Sequence, residues 1–161
     1  MKVEYINPFI NSVFNTMETM LGVKPDREQP TLKNSDIAQG DVSGLIGFAE
    51  NNITGSCSIT FPTETALKVY QLMMGETVSK INADVQDTIG EIANIVAGGA
   101  KQELAETGLS FHISIPTVIV GKNHTISHKV STPVVLIPFS IQGFPFSMEI
   151  SMKIIKHVGG N

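Results

Sequence analysis

The chain has 161 residues with 11 basic and 15 acidic side chains, so its net charge is −4, and only 16% of its residues are charged. A hydrophobic content of 42% excludes a disordered chain, and no apolar run approaches the ~20 residues of a membrane span. With no secretory signal pattern, a single cysteine (Cys57) and no cluster of basic residues, we expect one cytoplasmic domain over residues 1–161 that binds neither nucleic acid nor membrane.

The first half of the chain predicts a helix, a hairpin and a second helix. Apolar residues recur at intervals of three and four from Ile6 to Leu21, which is typical of an amphipathic helix. Residues 25–40 are rich in turn formers and predict a loop or a short edge strand. Two strands follow, joined at Asn51 and Asn52, which tolerate the positive φ of a tight turn. The predicted bounds are Ser43–Ala49 and Thr54–Phe61 for the strands, and 63–75 for the second helix.

The second half predicts one long helix and then mostly strands. The helix extends from Asp84, which we interpret as its N-cap, to Gly108. The last predicted strand has the clearest alternation of apolar and polar residues, so one face of its sheet should be buried. Pro133 and Pro138 place the preceding strand at an edge or a bulge. The predicted strands are Ser110–Pro116, Thr117–Val120, Val134–Ile141 and Phe146–Ile154, with a turn at 121–124 and another at Gln142-Gly143.

These elements contain a weak internal repeat. The first and third helices align at an offset of 79 residues, and the two hairpins align at an offset of 91. Phe48 then matches Phe139, and Ile59 matches Ile150. We therefore predict an α+β fold in which antiparallel sheets and packed helices form a pseudo-twofold pair of helix-plus-hairpin units.

The third helix separates an apolar face from a narrow polar one. At 100° per residue its apolar face carries Val85, Ile89, Ile92, Val96 and Ala100. The opposite face carries a set that we call the polar ridge: Asp87, Glu91, Asn94 and Gly98. Glu91 and Asn94 are three residues apart, so their side chains lie side by side. A polar stripe is also what any surface helix shows, so its periodicity leaves a purely structural role open.

Two adjacent glycines lie in the middle of this helix. Each costs about 1 kcal/mol relative to alanine, which suggests that the bare backbone is needed. Gly99 lies nearer the apolar face and predicts close packing of a neighbouring helix. Gly98 lies on the polar ridge, where it would let the surface of a partner come close. We infer a docking site for a large partner, and a zinc site is disfavoured because the ridge lacks imidazole and thiolate ligands.

The spacing Asp87-x-x-x-Glu91-x-x-Asn94-x-x-x-Gly98 resembles the CheC/CheX/FliY family of chemotaxis phosphatases, and most closely its CheX branch. The resemblance implies a phosphatase, or hydrolase, acting on the aspartyl phosphate of a CheY-like response regulator in two-component signalling. Asn94 would position the attacking water and Glu91 would pair with a lysine of the regulator, whereas Asp87 and Gly98 would be partner contacts. It also implies a homodimer formed by joining sheets, and Mg²⁺ held by the regulator with no cofactor in this chain.

The repeat suggests that the first helix carries a vestigial copy of the site. Asn15 matches Asn94 there, but Ser12 takes the position of Glu91, so the anchoring carboxylate is missing. A different class of function remains open: a non-catalytic module that binds the phosphorylated regulator or a flagellar component through the same polar ridge.

The remaining reactive side chains are not assigned to a site. Cys57 alternates with serines in a predicted strand, which favours a buried thiol. The four histidines are interpreted as surface or strand residues, and they are His112, His124, His128 and His157.

Overall fold

The computed structural model describes residues 3–128 and 132–155, which form three helices and eight strands. The helices are α1 (Val3–Leu21), α2 (Thr63–Met74) and α3 (Ala83–Glu106). The strands are β1 (Asp26–Arg27), β2 (Thr31–Leu32), β3 (Val42–Glu50), β4 (Ile53–Phe61), β5 (His112–Ile113), β6 (Thr117–Val120), β7 (Val135–Ile141) and β8 (Phe144–Ile154).

All eight strands belong to one antiparallel sheet, so the predicted α+β class is confirmed. Its order is β1-β7-β8-β4-β3-β5, with β2 also paired to β7 and β6 also paired to β3. The four long strands form the centre, and two-residue or four-residue strands border them on both sides. The segment 25–40, predicted as a loop or edge strand, supplies β1 and β2 at one border.

The strand register confirms the hairpin part of the predicted repeat. In the first hairpin Gly44 pairs with Ile59, and residues 91 positions later, Val135 and Ile150, pair in the second. Between the hairpins, Ser58 of β4 pairs with Glu149 of β8, and these two are themselves 91 positions apart. A local twofold axis therefore passes through the β4–β8 pair at the centre of the sheet.

The helices cover one face of this sheet. Alternate residues of the central strands point into a core shared with all three helices, including Ile46, Ile59 and Met148. Helix α3 packs closely against β3. A Cβ added at Gly44 would be only 2.8 Å from the Cβ of Ala93. The glycine at position 44 therefore lets α3 come this close to the sheet.

Four local predictions were wrong in detail. Strand β7, predicted from its prolines to be an edge or bulged strand, pairs with β8 in unbroken register on one side and with β1 and β2 on the other. The side chain of Asn82, not that of Asp84, caps α3: its Oδ1 accepts a hydrogen bond from the Val85 amide at 2.9 Å. Asn82 has the extended backbone of a cap residue, whereas Asp84 already lies in the first helical turn. In the first hairpin neither Asn51 nor Asn52 has positive φ. The strand predicted over residues 110–116 is reduced to the two residues of β5.

The opposite face of the sheet carries a buried charged cluster. Glu149 Oε2 accepts a hydrogen bond from Lys33 Nζ at 2.8 Å, and its Oε1 lies 3.2 Å from His128 Nε2. The other ring nitrogen of His128 bonds to the hydroxyl of Ser56. The Lys33, His128 and Glu149 side chains are 5%, 1% and 1% exposed. We call Lys33, Glu149, His128 and Ser56 the Glu149 cluster, and it joins loop segments to the two central strands.

The histidines are only partly where they were predicted. His112 is an exposed residue of β5, as expected. His124 and His128 instead lie in the segment after β6, where His124 bonds to the Ser43 hydroxyl at 2.6 Å and His128 is buried. A covering loop leaves no periodic pattern in the sequence, so the burial of His128 could not be predicted. His157 lies outside the described residues.

Candidate functional site

Helix α3 presents the polar ridge to solvent. The five predicted apolar-face residues are fully buried, which fixes the rotation of the helix on the sheet; they are Val85, Ile89, Ile92, Val96 and Ala100. On the opposite side Asp87, Glu91 and Asn94 are exposed and Gly98 is half-buried. The structure therefore brings the predicted site residues together on one accessible surface.

The side chains of the polar ridge are not engaged by the rest of the fold. Within the described part of the chain, Asp87, Glu91 and Asn94 make no side-chain hydrogen bond or ion pair. A carboxylate can only accept hydrogen bonds, whereas a carboxamide both donates and accepts while remaining neutral. Glu91 can thus anchor a cationic group, and Asn94 can bind a water molecule and an anionic oxygen at the same time.

The two glycines behave differently. A Cβ at Gly99 would lie 2.3 Å from Ser12 Oγ, so α1 can approach α3 only because residue 99 is glycine. A Cβ at Gly98 would meet nothing within 4 Å. Close packing of a helix at Gly99 is thereby confirmed, whereas nothing within the described chain requires glycine at position 98.

The residues of α1 that match the polar ridge are arranged differently from those of α3. Asn15 is exposed on α1, like Asn94 on α3. Ser12, however, is buried, and its hydroxyl donates to the carbonyl oxygen of Val96 at 2.7 Å. Nearby, the Asn11 side-chain amide donates to Glu103 Oε1 at 3.0 Å. Ser12 is thus a contact between helices, while its match Glu91 faces solvent.

A shallow groove follows the seam between α1 and α3 beside the polar ridge. It has a volume of about 540 Å³ and is lined from α1 by Ser12, Asn15 and Thr19 and from α3 by Ile95, Gly99 and Gln102, among others. Asn15 thus lies on the groove wall.

Other candidate chemistries find no support in the described chain. Burial raises the pKa of the Cys57 thiol to about 12, so it is the inert buried thiol that was predicted. Among residues 3–128 and 132–155, no three His, Cys, Asp or Glu side chains are grouped so that they could hold a metal ion. The helices of the same residues are all too short or too polar to cross a bilayer.

Sequence reasoning missed the internal partner of Gly99. The adjacent glycines indicated that a helix packs against α3, but no local signal identified Ser12 as the residue in contact. The repeat offered an indirect one, because a small hydroxyl residue takes the position that matches Glu91. It was interpreted only as the loss of a carboxylate.

Known proteins resemble this chain over nearly its whole length. The family model described as chemotaxis phosphatase CheX matches residues 42–140. The CheY-P phosphatase CheX of Thermotoga maritima is 31% identical over 156 residues, which cover 95% of this chain and 98% of that protein. The crystal structure of chemotaxis protein CheX from Vibrio vulnificus is 42% identical with a TM-score of 0.87, covering 94% and 100% of the two chains. A CheX–CheY–BeF₃–Mg²⁺ complex from Borrelia burgdorferi contains a chain 28% identical, with a TM-score of 0.80 and coverage of 94% and 99%.

Proposed function

The chain belongs to the CheX family of chemotaxis phosphatases, and from that membership we propose that it hydrolyses the aspartyl phosphate of a CheY-like response regulator. The relative from Thermotoga maritima is named as a phosphatase of CheY-P, and the Borrelia burgdorferi relative forms a complex with CheY. The observation that carries the proposal is Asn94, an exposed carboxamide without a partner in the described chain at the centre of the polar ridge.

Asn94 is the proposed catalytic residue. An acyl phosphate is already reactive, and phosphoryl transfer passes through a loose transition state in which positioning and electrostatics supply most of the catalysis. The side-chain oxygen of Asn94 would accept a hydrogen bond from water, while its NH₂ group would donate to a phosphoryl oxygen. A neutral amide suits this task because a carboxylate at the same position would repel the phosphate.

Glu91 is the proposed anchor. Its carboxylate lies one helical turn from Asn94 on the same exposed face, so it can pair with a lysine at the rim of the regulator's active site. Asp87 and Gly98 would contact the regulator on either side of this pair. The Mg²⁺ ion that offsets the phosphoryl charge would be bound by the regulator, as a complex of CheX with CheY and Mg²⁺ suggests.

A homodimer is also part of the proposal. We expect one cytoplasmic domain that pairs with a second copy by joining sheets. Both borders of the sheet consist of short strands, and exposed apolar side chains lie at each: Leu32 is 69% exposed and Ile115 is 85% exposed. An intermolecular sheet contact would cover apolar surface at either border.

The decay of phosphorylated CheY tests the proposal against the non-catalytic module. We expect the wild-type protein, added in amounts well below the regulator, to accelerate phosphate release with turnover. Glu91→Ala should weaken both binding and acceleration, since the anchor acts on the whole encounter. A wild-type protein that binds phosphorylated CheY and leaves its decay rate unchanged would establish the module instead.

Gly98→Ala should stabilise the protein and impair its activity. Alanine is the better helix former by about 1 kcal/mol, and the new methyl group meets no atom of this chain within 4 Å. It would, however, project from the polar ridge into the surface of the docked regulator. We expect a higher Tm together with a higher KM for phosphorylated CheY, measured by thermal unfolding and by initial rates. An unchanged KM would show that Gly98 is not in the interface.

Asn15→Ala should leave most phosphatase activity in place. Asn15 is exposed and matches Asn94 in the repeat, but the neighbouring anchor position holds a buried serine. The first helix therefore lacks the carboxylate that would hold a regulator over Asn15. We expect kcat/KM within about twofold of the wild-type value, and a large loss would show that this copy of the site is functional.

A further inference from the structure

Ser12 makes a contact that the repeat does not explain. At the position that matches Glu91, Ser12 is 5% exposed, and its side chain lies between α1 and α3. The Ser12 hydroxyl donates to the Val96 carbonyl oxygen at 2.7 Å, although Val96 lies 84 positions along the chain. The bond therefore ties the backbone of α3 to a different helix.

The contact lies directly behind the catalytic turn of α3. Val96 is between Asn94 and Gly98 in sequence, but its side chain is fully buried, while Asn94 points to solvent. At Gly99 the two helices approach so closely that a Cβ would lie 3.3 Å from Ser12 Cβ as well as 2.3 Å from Ser12 Oγ. On its buried side, the turn that carries Asn94 is therefore held by the Ser12 hydrogen bond, and the glycine at position 99 lets α1 come close enough to form that bond.

We propose that Ser12 is a positioning residue, whose hydrogen bond to Val96 holds the turn of α3 that presents Asn94. The proposal rests on the phosphatase function proposed above. Asn94 has no partner of its own in the described chain, so its placement depends on the backbone that carries it. A displacement of about 1 Å in a reacting group can cost about 100-fold in rate, so the backbone of this turn is under a geometric demand.

The same contact leaves no place for a carboxylate at position 12. A glutamate at position 12 would have to place a charge in the buried seam, and Gly99 leaves room there only for a side chain as small as serine. One residue cannot both anchor a regulator at the surface and bond to Val96 inside the fold.

Ser12→Ala provides the direct test, because it removes the hydroxyl and keeps the Cβ. We expect kcat for phosphorylated CheY to fall about 10-fold while KM stays within about twofold, since the exposed anchor Glu91 is untouched. In the same assay Glu91→Ala should, unlike Ser12→Ala, raise KM as well as slow the reaction. The side-chain amide signals of Asn94 in ¹H–¹⁵N spectra should broaden or shift in Ser12→Ala and remain unchanged in Asn15→Ala.

A size exchange separates the hydrogen bond from the packing. Gly99→Ala alone should lower Tm, because the new methyl group clashes with Ser12. Adding Ser12→Gly removes the clash, and the helix propensities of the two changes offset one another. The double variant should regain Tm but keep the reduced kcat, because the hydroxyl is still absent.

Three results would overturn the proposal: a normal kcat in Ser12→Ala, an unmoved Asn94 amide signal, or full recovery of kcat in the double variant. Failure of the proposed function is recognised separately, because the wild-type protein would then fail to accelerate the decay of phosphorylated CheY at all.

Discussion

Asn94→Ala is expected to abolish the acceleration of CheY-P decay while leaving much of the binding intact. The carboxamide contributes by placing water in line with the phosphorus, and orientation of this kind is worth at least about 100-fold in rate. Alanine keeps the helix, since Asn94 is exposed and makes no described side-chain bond within the fold. Single-turnover decay of phosphorylated CheY measures the rate, and titration with CheY–BeF₃ measures the affinity.

Asn94→Asp is the matched control for this prediction. It preserves shape and removes the neutral NH₂ donor, so electrostatic repulsion of the phosphoryl group should reduce activity as severely as alanine does. It should also weaken the binding of phosphorylated CheY, which alanine should not. An Asn94→Ala protein that still accelerates the decay fully would refute the proposed mechanism.

Lys33→Met is expected to cause the largest loss of stability. The Lys33 ammonium is 2.8 Å from Glu149 Oε2, and both side chains are almost completely buried. Removing one partner of a buried pair costs about 3–5 kcal/mol, and Lys33→Met leaves the Glu149 carboxylate with only the His128 ring beside it. Chemical denaturation should show a lower midpoint with little change in slope. Any protein that remains folded should keep its kcat, because Glu149 and α3 lie on opposite faces of the sheet.

The double variant Lys33→Met/Glu149→Gln distinguishes an unpaired charge from lost packing. Glu149→Gln removes the buried charge that Lys33→Met leaves without its lysine partner, so the double variant should be more stable than the single one. If both variants lose the same free energy of unfolding, the ion pair contributes only through its packing. If Lys33→Met unfolds at the wild-type midpoint, Glu149 is compensated by other groups.

The polar ridge could be predicted because it depends on local periodicity. The apolar positions of α3 recur every three or four residues, and this alone determines that Asp87, Glu91 and Asn94 share the exposed face. The offset of 91 residues between the hairpins could be predicted from the residues that the two copies share, and the pairing of Ser58 with Glu149 agrees with it.

Contacts between distant segments could not be predicted in the same way. The Glu149 cluster joins residues from a border segment, a loop and two strands, and none of these positions repeats with a helical or strand period. Ser12 was likewise interpreted only from the pattern of α1, whereas its contacts are with Val96 and Gly99 of α3. The N-cap was misplaced by two residues because Asn82 and Asp84 are both good cap formers, and only the backbone distinguishes them.

Strand β8 completes the sheet by pairing with a strand that lies far from it in sequence. It is the last described strand in sequence, yet it lies between β4 and β7 in the middle of the sheet. One edge of β4 therefore stays open until β8, whose residue Glu149 pairs with Ser58 across 91 positions of the chain, is added to the sheet. Pairing across such a long stretch of chain is slow, so the sheet should be completed late in folding, and the open edge of β4 is the surface most exposed to aggregation until then.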